Sequence, residues 1–149
     1  KTSSERVLLF RGSNGGGLPI PGSEFYVKAI HQAISGENEE DLIGKYSSVL
    51  IDGHYANTLK DIVTNGCIRL DVEKMQDSLL KRMYISEGIR FSEIHYLVSK
   101  GLLDKKQKFE IFYLSIGTNK DKDFSSNKDK LNIQLCVDNI KRIFQKYRS

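Results

Sequence analysis

The chain lacks any apolar run approaching the ~18 residues that a membrane-crossing helix requires, so no membrane span is expected. It also starts without the apolar core of an export signal. Cysteine is scarce: Cys67 and Cys136 are the only two, each inside an apolar segment. That excludes a disulfide framework and fits a reducing, intracellular compartment. Proline is scarcer still in its spread, because both prolines fall in the loop S-N-G-G-G-L-P-I-P-G at 13–22. The triple glycine there lacks the Lys-Ser/Thr of a phosphate-binding loop and the spacing of a dinucleotide loop, so neither nucleotide site is expected. Charge is mild, with 23 Lys and Arg against 19 Asp and Glu, a net +4. The basic residues are interleaved with other types rather than gathered in a patch with aromatics, which argues against nucleic-acid binding. A small basic nucleic-acid adaptor is the weakest of the alternatives. No cofactor and no metal are expected.

With 149 residues the chain is long enough for one domain with a real core. Residues 7–10 suit a strand. Ser23 can cap a helix with Val27, Ile30 and Ile34 on one face, and residues 37–41 (E-N-E-E-D) form an acidic linker. This divides the chain into an N-terminal arm with one helix, 1–40, and an α/β domain, 45–149. The densest signal lies at 47–71. Val49, Leu50 and Ile51 form a strand that stops at Asp52-Gly53. Leu59, Ile62 and Val63 hold helical spacing, Asn65-Gly66 ends the helix, and Cys67 to Leu70 forms a second strand. A strand, a helix and a strand so close together predict a βαβ unit in a parallel sheet. Beyond it, Met75, Leu79, Leu80 and Met83 form a helical face, and Ser92-Glu93 opens a short helix with Ile94, Leu97 and Val98 inward. Residues 109–116 form the clearest strand, 118–130 a polar loop, 131–137 an alternating strand and 138–148 the closing amphipathic helix. The expected fold is an α/β three-layer sandwich with a mostly parallel sheet of four strands, at 48–52, 67–71, 109–116 and 131–137.

Two families are resembled at the central stretch. The order strand, Gly53-x-Tyr55, helix with Leu59 and Ile62, Gly66, strand resembles the opening of a BRCT domain. The resemblance covers residues 45–148. It implies a non-catalytic protein–protein interaction module, binding a protein or a phosphorylated peptide in a nuclear chromatin or DNA-repair assembly. By that resemblance Asp52, Gly66 and Lys120 or Lys122 take the phosphate-binding places, and His54 and Asn65, at the strand ends beside them, complete the expected partner-binding set. Asp52 stands where phosphate-binding members carry Ser or Thr. The segment T-N-G-C-I-R-L also resembles the Ser/Thr-His-Gly-Cys-x-Arg signature of L,D-transpeptidases, with Asn65 in place of the signature histidine. That alternative implies a cysteine acyl-transferase with Cys67 as nucleophile, His54 as base, Thr64 orienting it and Arg69 anchoring substrate. A thiolate nucleophile needs a nearby imidazole and an electropositive setting.

Overall fold

The computed structural model describes residues 5–13, 25–34, 41–100, 109–119, 134–135 and 137–143. Its centre is a sheet of six strands: β1 (Glu5–Ser13), β2 (Tyr26–Ile34), β3 (Val49–Leu50), β4 (Cys67–Asp71), β5 (Phe91–Lys100) and β6 (Glu110–Thr118). The order across the sheet is β3-β2-β1-β6-β5-β4, and every neighbouring pair is antiparallel. The parallel four-stranded sheet is therefore corrected. The strands expected on either side of one crossover, β3 and β4, lie at opposite edges.

The helix between them shows why. Helix α2 (Gly53–Asn65) has 13 residues, or about 20 Å at ~1.5 Å per residue. Six strands span five gaps of ~4.8 Å, roughly 24 Å. The helix is long enough to carry the chain across the whole sheet, and it packs on that face through Tyr55, Thr58, Leu59 and Ile62. Gly66 closes it with a φ of +84°, the conformation expected at that turn. Two shorter helices, α1 (Leu42–Lys45) and α3 (Leu79–Ser86), complete the layer, with Leu42, Leu80 and Tyr84 buried.

Two expected helices are strands, for the same reason. In β2, Leu9 pairs His31 and Phe10 pairs Ala29, so Ile30 has no residue opposite. In β5, Tyr96 pairs Tyr113 and Val98 pairs Phe112, leaving Leu97 extra. A bulge inserts one residue into a two-residue alternation. The apolar positions then fall at spacings of three and four, which imitates a helical face. The supposed N-terminal arm thus supplies β1 and β2, and β1 lies in the interior of the sheet. At the other end, residues 134–135 and 137–143 are helical, so the strand expected over 131–137 is not present among the described residues. The closing helix is seen as far as residue 143.

The core lies mainly between the sheet and the three helices. Leu8, Phe10, Val27, Ala29, Ile94, Ile111 and Tyr113 face Tyr55, Leu59, Ile62, Leu80 and Tyr84 there. Polar groups are embedded in it. The Arg6 Nε lies 2.6 Å from Glu87 Oε1, with both side chains about 95% buried, and Arg6 also donates to the Ser115 carbonyl and hydroxyl. Tyr46 donates to Glu87, Ser92 donates to the Tyr84 hydroxyl, and the Tyr55 and Tyr113 hydroxyls meet at 2.6 Å. On the opposite face a smaller cluster of Leu97, Leu114, Ile116 and Val137, with Ile140, joins the sheet to the helical residues 137–143.

Asp52 ties the helical layer together. Its Oδ1 accepts from the Tyr55 N–H, capping α2, and its Oδ2 accepts from the Leu79 N–H at the start of α3. Burial pushes the Asp52 pKa up, but these two bonds and the charges of His54 and Arg82 outweigh it and hold it below the ordinary value. A carboxyl lowered on folding adds stability that is complete above its unfolded value and is lost as pH falls through its folded one. Asp52→Asn can serve only one of the two N–H groups. It should cost about 1–2 kcal/mol at neutral pH. Urea titrations should show the gap to wild type closing below about pH 4. A gap that is unchanged at acid pH would contradict the assignment.

Candidate functional site

The β4–β5 pair sets Cys67 opposite His95 and Arg69 opposite Glu93. His95 and Glu93 lie in turn opposite Leu114 and Ile116 of β6. Side chains of cross-strand partners share a face. All four residues therefore project on the side of Leu114 and Ile116, away from α2 and α3. Across this face the row runs from polar at the β4 edge to apolar at β6, where Val137 and Ile140 pack.

The Cys67 Sγ lies 3.6 Å from His95 Nε2, which lies 2.9 Å from Glu93 Oε1. Arg69 Nε lies 2.9 Å from Glu93 Oε2. The ligand atoms of Cys67, Glu93 and His95 all fall within 4.8 Å of one another. Glu93 and His95 are buried and Cys67 is half-buried. Burial alone would lower the His95 pKa, but Cys67 and Glu93 beside it win and raise it to about 9. For Glu93, burial acts upward, yet His95 and Arg69 hold the carboxyl below its ordinary value. The imidazole and the carboxyl therefore face each other as an ion pair at neutral pH.

The expected residues divide. Cys67 and Arg69 belong to this cluster. His54 does not: it stands in the first turn of α2 while Cys67 follows the last, roughly 18 Å apart along the helix axis. The half-buried His54 leaves its Nδ1 without a hydrogen-bond partner. Thr64 is exposed and donates to the Lys60 carbonyl within its own helix. Asp52 and the Asn65-Gly66 pair sit at opposite ends of α2, so they do not share one edge. Lys120 and Lys122 lie outside the described residues.

Sequence reasoning missed Glu93 and His95. The signal was available, since residues two apart on a strand share a face. On a helix residues two apart do not face each other, and the apolar spacing of Ile94, Leu97 and Val98 predicts a helix there.

The sequence matches no protein-family model and no curated protein. The fold does have a solved counterpart, the phycocyanobilin-bound GAF domain of a cyanobacterial phytochrome. The TM-score is 0.56 at 11% identity, over 95% of this chain and 74% of that one. The fold is GAF-like.

That finding overturns both resemblances read from the central stretch. A GAF-like antiparallel sheet is not the parallel sheet of a BRCT domain. The phosphopeptide-reading role in chromatin or DNA repair, inferred from that name, goes with it. The transpeptidase resemblance fails as well, because its histidine and cysteine are held apart by α2. Among the described residues of the GAF-like domain, no helix is long and apolar enough to cross a membrane.

Proposed function

We propose that this GAF-like chain is a non-catalytic ligand-binding module of the sensory or regulatory kind, and that its ligand is taken on the outer face of the β4–β5 pair. The observation that carries this reading is the convergence there of a thiol, a carboxylate and an imidazole within 4.8 Å. The face beneath α2 and α3 offers less. It is filled by the chain's own Tyr55, Tyr84 and Tyr113 and by the Arg6–Glu87 pair. A ligand as large as the phycocyanobilin of the phytochrome domain would have to displace that network. An intracellular setting, where thiols stay reduced, suits a site that needs Cys67 free.

The way His95 is used supports binding rather than catalysis. In a thiol–imidazole–acid relay the two ring nitrogens divide the work, one facing the nucleophile and the other the acid. Here the same Nε2 faces both Cys67 and Glu93. One nitrogen serving both neighbours is not the geometry of such a relay.

Two measurements test the reading. With an activated thioester in excess, the protein should release no more than one equivalent of leaving group and stop. Sustained turnover that Cys67→Ser abolishes would overturn the non-catalytic assignment. In a thermal-shift panel of small ions and metabolites, a ligand at a hundred times its Kd should add about 2.7 kcal/mol. That is roughly 5–10 °C for a chain of this size. The shift should vanish in Cys67→Ser and in Glu93→Gln. Ligand shifts that survive both substitutions would place binding elsewhere.

A further inference from the structure

We propose that Cys67, Glu93 and His95 form a mononuclear site for a borderline-soft divalent transition metal, zinc in the first place. The proposal rests on the reading of the β4–β5 face as the binding site, and it names the ligand.

The donor set decides the class of metal. One sulfur, one imidazole nitrogen and one carboxylate oxygen are the three kinds of ligand that zinc accepts. Calcium and magnesium take oxygen ligands and find one carboxylate here, so hard cations are disfavoured. The charge also suits. A Cys67 thiolate and the Glu93 carboxylate together neutralise a divalent ion.

The spacing is close to that of a tetrahedral site, with all three ligand atoms within 4.8 Å of one another. Ligand atoms about 2.0–2.3 Å from a tetrahedral metal stand about 3.3–3.8 Å from one another. Cys67 Sγ and His95 Nε2 are already 3.6 Å apart. The His95 Nε2 to Glu93 Oε1 distance, 2.9 Å, is that of a hydrogen bond. It needs to open by less than about 1 Å, which a glutamate rotamer adjustment supplies. The ligands come from paired positions on two adjacent strands, so the ladder fixes their spacing.

The carboxylate is held in place from both sides. Glu93 is only 5% exposed, with Oε1 2.9 Å from His95 Nε2 and Oε2 2.9 Å from Arg69 Nε. Oε1, the oxygen beside His95, is the one placed to coordinate, and Arg69, 47% exposed, stays on Oε2 as an orienting charge.

On binding, Zn–S, Zn–N and Zn–O bonds form. The Cys67 Sγ proton and the His95 Nε2 proton leave to solvent. Three protein ligands leave the fourth position for water or a small anion, on the side where Cys67 is half-exposed.

The test uses the full chain, stripped with a chelator and titrated with zinc against a chromophoric chelator. The expected result is one zinc per chain, with Kd on the order of 0.1 µM or tighter. Cobalt(II) should give a thiolate charge-transfer band and the intense visible bands of a tetrahedral ion. Cys67→Ser and His95→Ala should each weaken zinc by at least ~100-fold, since even outer-shell changes cost about 10- to 100-fold. His54→Ala should leave the affinity unchanged. Circular dichroism of each metal-free variant separates loss of the site from loss of the fold. Should Cys67→Ser fail to fold, charge-transfer intensity in Glu93→Gln and in wild type alkylated at Cys67 decides the question. Substoichiometric zinc, a cobalt spectrum without the thiolate band, or affinity that persists without Cys67 overturns the metal site. If zinc fails while another ligand still gives a Cys67-dependent thermal shift, only the metal is lost and the binding face stands.

Discussion

Arg6→Ala should lower the stability of the domain by about 3–5 kcal/mol at neutral pH. Arg6 reaches across the core to Glu87 with both side chains about 95% buried, and it also donates to the Ser115 carbonyl and hydroxyl. Taking the guanidinium away leaves an interior carboxylate that keeps the neutral Tyr46 hydroxyl as a donor but has lost its counter-charge, and it takes a donor from the Ser115 carbonyl and hydroxyl. A domain of this kind has a total stability of only ~5–15 kcal/mol, so the loss is a large part of it. The midpoint of thermal unfolding should fall by on the order of 10 °C. The Arg6→Met, Glu87→Gln double variant removes both charges and should lose less than Arg6→Ala. A cost under about 1 kcal/mol for Arg6→Ala in denaturant titration would mean that the pair does not hold the core together.

The second large effect is expected at Tyr113. Its ring is fully buried and stacks on Phe10 with centroids 5.2 Å apart and planes within 10°. Tyr113→Ala removes that contact and opens a cavity beneath α2, for a cost of about 3–5 kcal/mol. Tyr113→Phe keeps the ring and tests the hydroxyl alone. Burial pushes the Tyr113 hydroxyl well above its ordinary pKa, so it stays protonated and shares a hydrogen bond with Tyr55. The single substitution strands the Tyr55 hydroxyl and should cost about 1–3 kcal/mol. Adding Tyr55→Phe removes the stranded group, so the double variant should be no less stable than Tyr113→Phe. Additive losses in that cycle would show that the two hydroxyls are not coupled.

The same core separates what local pattern decides from what it leaves open. Helix α2 was legible because Leu59 and Ile62 repeat at helical spacing and Gly66 can take the positive φ that ends it. Strands β4 and β6 were legible because their aliphatic and aromatic runs are short and bounded by turn residues. Those signals act within a few residues of one another, and local sterics and capping are enough to decide them.

Pairing is a different matter. Nothing local says that β3 and β4 go to opposite edges, because that depends on α2 being about as long as the sheet is wide. Nothing local says that Ile30 and Leu97 are bulged, because a bulge exists only relative to the strand beside it. The two bulges turned β2 and β5 into apparent helices, and with β5 went the site. Cys67 could be singled out by its residue type, as could Arg69. Its imidazole could not, because His95 is 28 residues away and arrives by cross-strand register. His54 was nearer in sequence, and a rigid helix keeps it away. Residue type and spacing thus determined which elements could form and which side chains could carry chemistry. The antiparallel register of β4 on β5 decided which of those side chains meet, since contacts between distant residues are fixed only when the whole sheet closes around one core.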